Sequence, residues 1–389
     1  MLEEEVVARR RWLPREHFLD LIGATNLIPG PNSTEMVMHV GFERAGRRGL
    51  LVAGAAFILP ATLITGAFAW FYVRYGTLPA VEPLLAGVKP AVIGIIAGAL
   101  WRLGRQAIRG WRLAALAAAV TLAVLAGASE IAALLLAGGL GMLWLRAPPL
   151  ARPAAPAAAL VPALAPAAGV AGGGAAGPGG AAGSGGAAVA GLTGTGASAL
   201  AGGTAALAGA STGGVSLLAL GLFFLKVGAV LYGSGYVLVA FLEGGLVQER
   251  GWLTGEQLLD AIAIGQLTPG PVLTTATFVG YVLAGVPGAA VATAGIFLPS
   301  FLFVLALNPV VPRLRRSRWA AAFLDAVNAA AVALMLAVTI ELGSAVLRSW
   351  LAGAIALAAL VLVVRLRVNA AWVVAGGALA GWLAGVAGV

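Results

Sequence analysis

Leu27-Ile28-Pro29-Gly30-Pro31-Asn32-Ser33-Thr34 and Leu267-Thr268-Pro269-Gly270-Pro271-Val272-Leu273-Thr274 are two copies of one break in an apolar chain. In each copy the first proline ends an incoming helix and the glycine tolerates the turn. The second proline suits the first position of an outgoing helix. Working outward, Arg10-Arg11-Trp12-Leu13 matches Arg250-Gly251-Trp252-Leu253, and Glu16, Leu19 and Asp20 match Glu256, Leu259 and Asp260. Past a one-residue gap, Gly41, Gly46 and Gly49 match Gly280, Gly285 and Gly288. Leu59-Pro60 then matches Leu298-Pro299, and Val88-Lys89 falls on Val327-Asn328. Tryptophans, prolines and glycines repeated in one order mark an internal duplication.

The 389 residues are 60% hydrophobic and 10% charged, with a mean hydropathy of +0.98. A soluble domain carries about 25% charged residues, so an ordinary cytosolic enzyme is excluded. The chain has no cysteine, which removes disulfide frameworks, thiolate metal sites and cysteine nucleophiles. His17 and His39 form no two-histidine zinc motif. A net charge of +9 does not read as nucleic-acid binding, because the arginines punctuate apolar segments instead of forming one basic face. Apolar stretches of spanning length recur at roughly 49–73, 83–101, 113–128, 130–145, 216–242, 288–311, 319–343, 350–364 and 370–388. The expected fold class is all-α, a polytopic integral membrane protein of two homologous helical halves, each with a Pro-Gly-Pro broken hairpin. Its expected domains are an N-terminal repeat over 1–146, an Ala/Gly/Pro-rich disordered linker over 147–214 and a C-terminal repeat over 215–389.

Loop charges orient the copies. The loop at Arg44, Arg47 and Arg48 is basic, whereas its counterpart, Ala284 to Pro287, is uncharged. One crossing later the pattern reverses: Arg74 and Glu82 cancel, and the second copy carries Arg313, Arg315, Arg316 and Arg318. The next loop of the first copy is basic again, with Arg102, Arg105, Arg109 and Arg112. By the positive-inside rule the copies are inserted upside down relative to each other, an architecture of transporters with binding near the midplane. The topology closes if 13–43 and 253–284 each enter and leave by one side. The basic loops, 146–152 and 365–367 then lie inside. The second copy has an extra span, 216–242, before its hairpin; the repeat pattern raises the expectation of a lost or unannotated helix ahead of the first.

The breaks are the first candidates for chemistry. Amides of Asn32, Ser33 and Thr34 are expected unpaired at a helix N-terminus, which attracts anions. The second copy offers Thr274 and Thr275. The only two lysines, Lys89 and Lys226, lie inside apolar stretches. A charge there costs at least ~2.5 kcal/mol and usually faces the bundle interior, so both are candidates for holding an anion. Ser234, in Gly233-Ser234-Gly235, is a candidate donor. Glu35, Asp20 and Asp260 are candidates for proton coupling, with His39 one turn beyond Glu35. No catalytic residue, metal ligand or cofactor site is expected.

The doubled Trp-Leu…Leu-Asp…Pro-Gly-Pro…Gly…Leu-Pro pattern resembles the chromate transporter family in its two-repeat form. So does Phe224-Leu225-Lys226-Val227-Gly228-Ala229 running into Gly233-Ser234-Gly235-Tyr236. The resemblance covers about 3–145 and 216–388. It departs from the family at Ser234, where glycine is usual, in the missing opening helix and in the long linker. It implies a secondary transporter in the bacterial plasma (inner) membrane that exports chromate, conferring resistance, driven by the membrane potential or a proton gradient. Sulfate or another oxyanion, taken up instead, is the alternative substrate, and a non-transporting membrane scaffold or truncated paralogue is the alternative of another class. The implied partners are the oxyanion and the lipid bilayer, without nucleic acid, and the reading is compatible with a homodimer.

Overall fold

The computed structural model describes residues 2–25, 28–76, 78, 81–146, 211–212, 215–307 and 317–387. The expected linker, apart from Ser211 and Thr212, lies outside the described residues, as do Arg313, Arg315 and Arg316. A π-helical turn, Glu4–Arg9, precedes α1 (Arg15–Thr25), α2 (Asn32–Tyr75), α3 (Glu82–Ala107), α4 (Trp111–Leu125) and α5 (Glu130–Arg146). The second repeat comprises α6 (Leu217–Val230), α7 (Gly235–Gln248), α8 (Gly255–Leu267), α9 (Thr275–Leu307), α10 (Arg318–Val346), α11 (Trp350–Val364) and α12 (Ala370–Ala387). Among the described residues the only strands are Ser211–Thr212 and Val215–Ser216, paired antiparallel. Five segments among the described residues are long and apolar enough to cross a membrane: α2, Val272–Ala306, α3, α10 and α12. The chain is an all-α polytopic membrane protein.

The duplication is visible in backbone angles. Helix α2 is two arms joined at Ala45 (φ −146°, ψ 27°) and Gly46 (φ 57°, ψ −143°). Helix α9 bends at Ala284 (φ −147°, ψ 25°) and Gly285 (φ 61°, ψ −151°). Gly46 and Gly285 supply the left-handed turn that other residues resist. The arms then fold back so closely that Gly41 meets the carbonyl of Gly49, and Gly280 that of Gly288. Side chains at those positions would push each hairpin open. The π-helical turn is duplicated too: Trp12 N donates to Val6 O at 2.8 Å and Trp252 N to Leu246 O at 2.8 Å.

The two repeats share one core by exchanging partners. Helix α3 packs on α11 and α12 of the other repeat, and its twin α10 packs on α4 and α5 of the first. Gly94 of α3 lies against the Ala356 carbonyl. At the twin position, Thr121 Oγ1 donates to the Ala333 carbonyl at 3.3 Å. The breaks exchange in the same way, with Gly30 against Ser300 and Gly270 against Ala61, residues that are themselves twins after Pro299 and Pro60. This is the reciprocity of two repeats related by a pseudo-two-fold axis.

One expected span is different. The run 216–242 does not cross as a single helix: α6 ends at Val230, the chain turns through Gly233 (φ 94°), and α7 returns toward α6, where its Gly245 meets Phe223. The Phe223 ring of α6 fills the space beside Gly245 of α7. Apolar content is continuous through the run, but Gly245 leaves room for the Phe223 ring, while Gly244 packs against Glu130 of α5.

Candidate functional site

At the first break Pro29, Gly30 and Pro31 are all buried, and Gly30 takes φ +143° while its N–H donates to Leu231 O at 2.7 Å. At the second break Gly270 takes φ +150°, with Pro269 and Gly270 exposed and Pro271 buried. The amides differ from expectation. Thr34 N donates to Pro31 O at 2.9 Å and Glu35 N to the same oxygen at 3.1 Å, so the first turn closes on the proline carbonyl. Asn32 and Ser33 are left as the exposed tip of α2. Thr274 N likewise donates to Pro271 O at 3.0 Å. The hydroxyls of Thr274 and Thr275 bond back to Pro271 O and Val272 O within the same turn.

The tip of α2 opens into a cavity of about 450 Å³ that also takes in Ser234, Asn328, Asp325, Gln106 and Arg109. The break between α6 and α7 supplies Ser234, whose Oγ accepts from Tyr236 N at 3.4 Å. Asn328, the twin of Lys89, presents Oδ1 toward Gly233. Both repeats therefore contribute: a helix N-terminus and the end of α3 from the first, a helix break and α10 from the second. The donors are two side-chain amides, a further amide on Gln106, a hydroxyl and one guanidinium, against one carboxylate. Such a set suits a compact anion held by several hydrogen bonds and one fixed charge.

In the mirror-related region the two repeats are bonded to each other. Lys89 Nζ pairs with Glu256 at 2.8 Å, Tyr72 OH donates to Asp260 Oδ2 at 2.8 Å, and Thr65 Oγ1 donates to Thr268 Oγ1 at 3.2 Å. These bonds tie α2 and α3 of the first repeat to α8 of the second. Lys89 and Asp260 thus meet in one network, away from Asn32 and Ser234. Lys226 has an exposed side chain and does not line the cavity. The side chain of Asp20 lies outside the described residues.

Glu35 is buried behind the first break, its carboxylate and the Ser300 hydroxyl both pressed against Gly30. His39 and Thr34 are fully buried beside it in sequence, and among the described residues no hydrogen bond satisfies the His39 nitrogens or Thr34 Oγ1. The twin positions of Glu35 and Ser300 are Thr275 and Ala61, so this polar cluster belongs to one break alone. Sequence reasoning missed Gln106, Arg109 and Asn328 as cavity residues. Asn328 was within reach, as the residue aligned with Lys89; Arg109 was visible only as a loop charge.

The family model described as "Chromate transporter" matches residues 1–143 and 218–382, which are the two repeats. The chain belongs to the chromate transporter family. The chromate transport protein of Cupriavidus metallidurans is 31% identical over 391 residues, covering 98% of this chain and 87% of that protein. A probable chromate transport protein of Synechococcus elongatus is 27% identical over 343 residues, covering 88% and 78%. The chromate transport protein of Pseudomonas aeruginosa is 31% identical over 355 residues, covering 88% and 75%. No solved structure matches the chain. The family match and the spanning helices make this a multi-pass plasma-membrane transporter. Both matched segments contribute lining to the cavity described above.

Proposed function

We propose that the protein exports chromate, binding the dianion in the cavity at the first break and releasing it on the opposite side of the membrane. The observation that carries this reading is the convergence of Asn32, Ser234, Asn328, Gln106 and Arg109 on one cavity of about 450 Å³, while the mirror-related region is bridged by Lys89–Glu256, Tyr72–Asp260 and Thr65–Thr268. A path open at one end and closed at its twin is what alternating access requires of a single state. The basic end, with Arg102, Arg105, Arg109 and Arg112, is the cytosolic one by the positive-inside rule. Exchange of the two arrangements would break the Lys89 and Tyr72 bonds and close the chain around Asn328.

Export follows the electric field. Moving a dianion out of a negative interior releases about 4.6 kcal/mol per 100 mV, twice the value for one charge. The buried Glu35, with Ser300 and His39 around it, is the candidate carrier of a coupled proton, and Asp260 changes partner when the closed side opens. The test is radiolabelled chromate uptake into everted vesicles, where the inner face is outward. Arg109→Gln and Asn32→Ala each lower uptake at least tenfold if the cavity is the substrate site. Unchanged uptake in both removes it. Uptake blocked by sulfate as effectively as by unlabelled chromate would make the substrate class tetrahedral oxyanions in general.

A further inference from the structure

A second cavity, of about 340 Å³, lies between the end of α3 and the turn that leads from α11 into α12. Arg102, Arg367, Tyr236 and Asn369 line its polar side. Arg102 comes from the first repeat and Arg367 from the second, and neither forms an ion pair among the described residues. Two arginines line this small cavity and no carboxylate does so among the described residues, so its positive charge has no ionic partner there. Arg367 is held there at φ +53°, a left-handed conformation that disfavours a residue with a side chain. Asn369 Oδ1 accepts from Ala371 N at 3.0 Å, so the positive end of α12 adds to the same field. Tyr236 connects this cavity to the α6–α7 break and to the second Pro-Gly-Pro break: it lies two residues after Ser234 and its hydroxyl donates to Gln266, just ahead of Pro269.

The duplication supplies the comparison that gives this pocket meaning. Carried across it, Arg102 becomes Glu341, Arg367 becomes Ala128, and Asn369 becomes Glu130. The twin location is acidic. Glu130 presses its carboxylate against Gly244 and lies within electrostatic reach of Glu249 and Glu341. Glu243, buried on α7, feels Glu341 and Glu130, and one of its oxygens has no hydrogen-bond partner among the described residues. Gln248 Nε2 donates to Glu341 Oε2 at 2.9 Å. Lys226 attracts Glu130, and Arg250 pairs with Glu249 at 3.3 Å. Four carboxyl groups and two cations thus gather at this end among the described residues.

We infer that the Arg102–Arg367 pocket captures oxyanions at the end where the substrate cavity opens, and that its acidic twin repels them at the other. Resting on the transport reading above, this gives the inverted repeat a polarity: anions are concentrated at the entry and are expelled from the exit. Oppositely charged mouths alter local ion concentration by long-range attraction and repulsion, which salt screens.

Because the chain has no cysteine, single cysteines can report the two potentials without transport. Val368→Cys and its twin Ser129→Cys would be labelled with anionic and cationic methanethiosulfonate reagents of equal size. The anionic-to-cationic rate ratio is expected to be at least about tenfold higher at 368 than at 129, from the opposite potentials. Arg102→Gln with Arg367→Gln should abolish the difference at 368, while lysine at both positions should retain it. Chromate should slow labelling at 368 alone. In everted vesicles the double glutamine variant should raise the KM for chromate at least about fivefold and keep the maximal rate, as lost capture predicts. Equal ratios at the two positions, or chromate protection untouched by the double substitution, overturn the inference. Protection that follows the phosphatidylglycerol content of the vesicle instead of added chromate assigns the pocket to a lipid headgroup and also overturns it. If the unsubstituted chain moves no chromate yet position 368 is protected by it, the transport reading falls and the pocket stands.

Discussion

At Gly30 the chain turns at φ +143° with the Glu35 carboxylate and the Ser300 hydroxyl against its Cα. At Gly46 φ is +57° and nothing lies within 4 Å of where a Cβ would stand. The two glycines separate conformational strain from steric exclusion. Gly46→Ala is expected to cost about 1 kcal/mol, the left-handed penalty alone. Gly30→Ala adds overlap with two buried polar groups to a backbone region reserved for glycine, and is expected to cost at least about 3 kcal/mol. Thermal unfolding of the detergent-solubilised protein, followed by size-exclusion chromatography, reads the difference. Equal losses would mean that Glu35 and Ser300 yield without cost. Glycines and prolines make backbone demands that are written in the sequence, which is why Pro29-Gly30-Pro31 could be read there. Arg109 and Gln106 could not, because their part in the site depends on how the end of α3 turns toward a helix break more than a hundred residues away in the chain.

Among elements, α8 carries the closed side. Glu256 in its first turn holds Lys89 of α3, Asp260 one turn later holds Tyr72 of α2, and Thr268 just past its end meets Thr65. Lys89 reads from sequence as an anion ligand because an ammonium in an apolar stretch needs a partner. The partner proves to be a carboxylate from the other repeat, a pairing no local pattern encodes. The same limit explains 216–242: continuous apolarity says that a segment is buried or lipid-facing, not which way it runs, and only Gly233-Ser234-Gly235 hinted at the reversal. If the network is a latch, Lys89→Met and Tyr72→Phe loosen it. A cysteine at Thr268 should then react with an impermeant thiol reagent at least about fivefold faster than in the otherwise unsubstituted chain. No change in rate would make these bonds structural ties and leave the latch elsewhere.

For the whole molecule, the exchange of partners between α3 and α10 means that neither repeat has a complete core by itself. Helix α3 without α11 and α12 would expose Gly87, Gly94 and Gly98, whose close approaches are all to the other repeat. Such packing by small residues is how helices associate where lipid removes the hydrophobic drive. Its reciprocity follows from a pseudo-two-fold relation between the halves, and the loop charges place that axis in the membrane plane. Ala45 and Val286 sit at the tips of the twin hairpins and both are exposed. Inversion therefore puts a cysteine at 45 on the cytosolic face and one at 286 on the outer face. An impermeant maleimide applied to intact spheroplasts should label Val286→Cys and leave Ala45→Cys untouched, and everted vesicles should reverse the pattern. Labelling of both from one side would break the pseudo-two-fold relation. The substrate cavity, its closed mirror and the oppositely charged mouths would then lose the symmetry that connects them.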